Sequence, residues 1–189
     1  MRIRLSLLAA AMLPSLVAGQ QPTQASSPAA PAAVSPSPIA DAFRMELQRQ
    51  SKNLIAAAEI MPADKYGFKP TPAQMSFGDV VAHLSGGNDA LCGVIAGATK
   101  PTRTKISGTD AKDVLVTRLK ETFQYCTDVT SKLDDSNLGE KLSVFGMSPT
   151  RAMTILITSD DWGDHYSQSA IYLRLNGLLP PTAKPAPTP

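Results

Sequence analysis

Proline placement is the feature that most restricts what this 189-residue chain can fold into. Prolines crowd the stretch from Pro22 to Pro38 and the end from Pro180 onward, and between those limits they fall only at positions 62, 70, 72, 101 and 149. A proline lacks the amide hydrogen a helix interior needs, and its ring clashes with the preceding turn, so each one bounds a helix. The long runs left between them carry apolar residues at steps of three and four, the period of a helix rather than a strand.

Four helices follow. The first spans about 39–60, with Phe43, Leu47, Leu54, Ile55 and Ala58 on one face, and Pro62 ends it. The stretch from Met61 to Pro72 is an irregular connector, pinned to the core by Tyr66 and Phe68. Ser76 opens the second helix, with Asp79 three residues on, the spacing of a reciprocal capping box. Its buried stripe is Phe77, Val80, Val81, Leu84, Leu91, Val94 and Ile95. Gly86 and Gly87 interrupt that pattern, each less favourable than alanine by about 1 kcal/mol in a helix interior.

A polar connector from Lys100 to Gly108 leads to a third helix over about 110–133, whose stripe is Val114, Leu115, Leu119, Phe123, Cys126, Val129 and Leu133. Asn137 to Met147 reads as a short extended turn over Leu142, Val144 and Phe145. Ser148 then supplies a cap and Pro149 a first helical residue for the fourth helix, which runs to Asn176 with Met153, Leu156, Ile157, Tyr172 and Leu175 as its stripe. Gly177 and the Pro180-Pro181 pair stop it. The expected architecture is all-α, a four-helix bundle with a long crossover between helices two and three.

The ends are of another kind. Arg2 and Arg4, the apolar stretch from Leu5 to Ala18, and the small residues Val17-Ala18-Gly19 form a secretory signal over 1–19. Residues 20–38 are a proline- and alanine-rich linker, 39–181 the folded domain, and 182–189 a second proline-rich tail. The expected location is therefore periplasmic or extracellular. No later apolar run reaches the roughly 18 residues a membrane span needs, so no stable insertion follows removal of the signal. Oxidising surroundings make a Cys92–Cys126 disulfide the expected state of the two cysteines. The net charge of +2 is spread without a basic patch or interleaved aromatics, which excludes a nucleic-acid partner.

The only two histidines carry the chemistry. Asp161 and His165 stand four apart on the fourth helix, so they share a face and can grip one ion. His83, on a separate helix that a bundle brings alongside, is the third candidate ligand. Zn²⁺, Ni²⁺, Mn²⁺ or Fe²⁺ each suits such a set. The competing reading is a polar trio that satisfies itself by hydrogen bonds. Asp160 and Asp164 are candidates to orient His165 from behind, Arg174 to form a salt bridge or meet an anionic substrate, and Trp162 to fill the core. No nucleophile elbow, phosphate loop or nucleotide fingerprint is present.

Two segments bear a family resemblance. The run from Asp164 through His165, Tyr172-Leu-Arg-Leu-Asn-Gly177 and Pro180-Pro181 resembles the closing helix of the DinB-like metal-binding four-helix bundles. The run Phe68-Lys-Pro70-Thr-Pro72 through Met75-Ser76-Phe77-Gly-Asp79 to His83 resembles the start of that family's second helix. The resemblance covers roughly 39–181 and implies a divalent ion held by three histidines, one on the second helix and two spaced by four on the last. His83 and His165 match the first and third positions, and Asp161 stands where the middle histidine is usual. The family implies metal-dependent thiol transfer or isomerisation. A hydrolase, or a non-enzymatic binding protein with a degenerate site, are the other expectations, with a small molecule as ligand and a homodimer as the assembly.

Overall fold

The computed structural model describes residues 35–183. Its helices are α1 (Pro38–Ile60), α2 (Phe77–Ala96), α3 (Lys112–Thr130) and α4 (Arg151–Leu175), with 3₁₀ turns at Ala63–Lys65 and Pro181–Ala183. The four helices form the all-α bundle the sequence implies, and the chain crosses over between α2 and α3. The expected signal segment, most of the linker and all but the start of the tail lie outside the described residues.

Each helix start is satisfied in its own way. Pro38 opens α1, where its missing N–H is not needed, and the next two amides donate to the Asp135 carboxylate, both at 2.9 Å. Ser76 and Asp79 make the reciprocal cap of α2 that their spacing predicts. Gly97 closes α2 in the left-handed conformation at φ 63°. Lys112, at the start of α3, donates to the carbonyls of Glu59 and Met61 and so ties down the end of α1.

The start of α4 differs from expectation. Thr150, not Ser148, is the cap, its hydroxyl accepting from the Met153 amide at 3.1 Å. The segment before it is a small antiparallel hairpin in which Lys141 bridges Thr150 and Val144 bridges Met147. Pro149 belongs to that hairpin, because its carbonyl accepts from the Leu142 amide at 2.9 Å, so helical geometry begins two residues later.

Trp162 is the centre of the core, as expected. It is fully buried, stacks on Phe43 of α1 at 5.4 Å between ring centroids and lies against Phe123 of α3 at 5.9 Å. Its indole N–H donates to Asn88 Oδ1 at 2.7 Å, and the Asn88 amide donates to Thr122 at 3.2 Å, a buried polar chain across α4, α2 and α3. Cys92 and Cys126 add a further tie between α2 and α3, lying at disulfide distance with Cα atoms 5.2 Å apart.

The core-facing side of α4 corrects the sequence reading. Met153, Leu156 and Leu175 are exposed by 50%, 63% and 58%, whereas Thr154, Ile155, Thr158, Trp162, Ser169 and Leu173 face inward. The threonine hydroxyls donate to carbonyls one turn back, Thr154 to Thr150 at 3.0 Å and Thr158 to Thr154 at 2.7 Å. With the hydroxyl satisfied inside its own helix, the threonine methyl packs like an apolar group, and the buried stripe is disguised. Tyr172 alone of the expected stripe is fully buried.

Candidate metal centre

The register of α2 against α4 is set by two hydrogen bonds. Tyr172 Oη donates to the Met75 carbonyl at 2.9 Å, and Trp162 reaches Asn88, so the helices run antiparallel. That register places His165 opposite His83 and Asp161 opposite Gly87.

The three expected ligands come together. One donor atom from each of His83, Asp161 and His165 lies within 4.8 Å of the others. Asp161 Oδ1 is 3.6 Å from His83 Nε2 and 3.4 Å from His165 Nδ1. A divalent cation bonded at about 2.0–2.2 Å holds its donors roughly 3–3.5 Å apart, close to the separation of Asp161 Oδ1 and His83 Nε2, and the His165 ring would supply the third donor. The two imidazoles stack at 4.8 Å with 22° between their planes.

His165 is oriented by its own helix. Its Nδ1 lies 2.8 Å from the Asp161 carbonyl oxygen. A carbonyl only accepts, so Nδ1 carries the proton and Nε2 is the nitrogen left with a lone pair that could bind a metal. The role expected of Asp160 or Asp164 is thus filled by the backbone of Asp161, and both of those carboxylates face solvent. Arg174 is exposed at the far end of α4, its guanidinium against the Ala170 carbonyl at 3.5 Å, and it forms no ion pair among the described residues.

The Asp161 carboxylate packs against α2 at Gly87. A Cβ on Gly87 would lie 3.7 Å from Asp161 Oδ2, so this side chain rests almost on the α2 backbone. The site opens outward on one side, because the side-chain exposure of His165 is 12%, of Asp161 23% and of His83 50%. A cavity of about 900 Å³ lies elsewhere, beside Tyr66, Ser76, Gly108 and Lys112 at the starts of α2 and α3, and none of the three donors lines it.

The connector after α2, merely polar as a sequence, holds more than it promised. Arg103 reaches back to the buried Asp89 at 2.8 Å and to Glu121 at 3.3 Å. The signal was there in Lys100-Pro-Thr-Arg-Thr-Lys105, a short run with three cations.

A four-helix bundle whose second and last helices present a His, Asp and His cluster to solvent defines a class of metal-associated bundle proteins. The model of the DinB superfamily matches residues 46–160, and the chain belongs to that superfamily. The match takes in His83 and ends one residue before Asp161. Two solved structures share the fold. A DinB-like protein from Bacillus subtilis is 18% identical, with a TM-score of 0.59 over 72% of this chain and 92% of its own. A DinB-like protein from Bacillus cereus is 14% identical, with a TM-score of 0.60 over 75% of this chain and 95% of its own. No curated protein matches the chain.

Proposed function

We propose that this protein binds one divalent cation through His83, Asp161 and His165 and acts with it on a small molecule outside the cytoplasm. The observation that carries the reading is the convergence of three metal-type donors from α2 and α4 at a point open to solvent beside His83. A structural ion closes its coordination with a fourth protein ligand, whereas a catalytic one keeps a position free, and the half-exposed His83 side favours the second case. Bound there, a zinc, nickel, manganese or iron ion supplies Lewis acidity and lowers the pKa of a coordinated proton donor. Among the chain's own residues, Asp161 contributes a charged oxygen donor and its carbonyl fixes the His165 tautomer.

Hydrolysis is the reaction class that asks least of the remaining side chains. Thiol transfer would need a thiol from solution, since Cys92 and Cys126 are buried and at bonding distance from each other. The same pair supports an oxidising destination, in keeping with a signal over 1–19. Metal analysis of protein refolded with each of the four ions, beside His83→Ala treated alike, tests the site. Near-stoichiometric uptake that His83→Ala loses is the expected result, and equal content in both proteins rejects it. Fractionation with N-terminal sequencing tests export, with a mature start after Gly19 expected.

A further inference from the structure

Gly86 has no packing reason to be glycine. It sits inside α2, where glycine is less favourable than alanine by about 1 kcal/mol, and a Cβ there would meet nothing within 4 Å. What lies beside it is a cavity of about 320 Å³ between α2 and the crossover connector. Ala82, next to His83 in the chain, and Gly86, one turn beyond it, form part of its wall. None of His83, Asp161 and His165 lines the cavity, but Gly86, three residues from His83 and so its neighbour on the helix surface, does, and the wall runs along α2 to Asp89, about 9 Å beyond His83 at the rise of a helix.

Its lining is cationic. Lys100, Arg103, Lys105 and Arg118 all face it. The two guanidiniums are held in place by fixed acceptors. Arg103 donates to Asp89 and Glu121, and Arg118 donates to Glu121 at 3.2 Å and to the Thr104 carbonyl at 2.8 Å. Lys100 and Lys105 form no ion pair among the described residues, so four cations stand against two carboxylates. Asp89 is only 5% exposed, and its Oδ1 accepts no hydrogen bond. Preorganised guanidiniums beside free ammonium groups suit a planar or tetrahedral oxyanion, and the spare Asp89 oxygen suits a hydroxyl or ammonium carried next to it.

We infer that the metal centre takes a small molecule bearing a carboxylate or phosphate, and that this cavity receives the anionic group while the reacting end reaches the metal across Gly86. The inference rests on the metal-centre reading above. The glycine keeps the path between the two subsites clear, and the cations set which ligands are held.

Isothermal titration of the zinc-loaded protein separates the two halves. Acetohydroxamate reports the metal alone, butyrohydroxamate adds a neutral chain, and succinate monohydroxamate adds a chain ending in a carboxylate. The expected result is that the succinate probe binds at least tenfold tighter than the butyryl probe, with the gap shrinking as salt rises. Lys100→Ala with Lys105→Ala, two changes that break no ion pair, should close most of the gap and leave acetohydroxamate binding unchanged. Gly86→Leu should do the same by obstruction. Zinc content is measured separately on each protein. If the wild type takes up no zinc, the metal reading falls and this inference with it. If it takes up zinc and binds acetohydroxamate but shows no preference for the charged probe, or keeps that preference in both variants, this inference alone is overturned.

Discussion

Replacing Gly86 by alanine should make the protein more stable, and replacing Gly78 by alanine should make it less so, although both lie in α2. The difference follows from what a methyl group would meet. At Gly86 it meets nothing within 4 Å, so the change trades backbone freedom in the unfolded chain for a better helix former. The gain is about 0.5–1 kcal/mol. In a domain of this size each kcal/mol moves the melting temperature by roughly 2–4 °C. At Gly78 the methyl would overlap the carbonyl oxygen of Gly108 in the crossover connector, a backbone atom that cannot swing away. Overpacking of that kind costs about 1–3 kcal/mol. Thermal melts followed by circular dichroism, with urea titrations to check that the slope is unchanged, measure both. A Gly86→Ala protein that melts at or below the wild type would refute the reasoning, because the glycine would then have a structural role and its link to ligand passage would lose its basis.

Three further outcomes are expected. Unreduced, denatured protein from an oxidising compartment should show no alkylatable thiol by mass spectrometry, and reduction should lower stability by about 3–4 kcal/mol, the chain-entropy value for a link across 34 positions; two modified cysteines would refute the bridge. Trp162→Phe keeps a ring against Phe43 but leaves Asn88 Oδ1 without its donor, and a loss of about 1–3 kcal/mol in urea unfolding is expected; a change below half a unit on that scale would show that the buried chain is not coupled to folding. The Ser76 hydroxyl, against the opposing pull of burial, holds the Asp79 carboxyl below its ordinary value. Its folded pKa is therefore the lower one, so its stabilisation is fully present above about pH 5 and fades as the pH falls below the ordinary value near 4. Asp79→Asn should accordingly be less stable than wild type at neutral pH, with the gap in melting temperature closing in acid, and a gap that stays constant down to pH 2 would contradict the assignment.

The parts of this protein legible in its sequence are those governed by local rules. Prolines bound the helices, Ser76 and Asp79 cap α2 at their expected spacing, and His83, Asp161 and His165 converge once the bundle is assumed. The misreadings have one cause, which is that tertiary partners decide between local options. Thr154 and Thr158 look polar, yet face the core because their hydroxyls bond their own helix, while Met153 and Leu156 look apolar and lie outside. Ser148-Pro149 has the form of a helix start, but the hairpin takes the Pro149 carbonyl first. The cap of α1 by Asp135 spans 95 and 96 positions and has no local signature at all. The cationic cavity is assembled from α2, the connector and α3, so only the short run of lysines and arginine after α2 hinted at it.

Asp161 and that cavity bear on each other. In the proposed site, three neutral imidazoles would leave a divalent ion with its full charge, whereas a carboxylate among the ligands removes one unit and weakens the direct pull on an anionic substrate. An anion drawn to this site must then be held mainly by charges placed elsewhere. The bundle gathers four such charges around a cavity whose wall includes Gly86, one turn of helix from His83, and two of them are fixed by Asp89, Glu121 and the Thr104 carbonyl. Asp161 meanwhile serves the site twice, since its carbonyl aims His165 and its carboxylate donates from the same residue. In the proposed site the aspartate thus moves the recognition of charge from the ion to the basic cavity, where specificity can be set by geometry as well as by attraction.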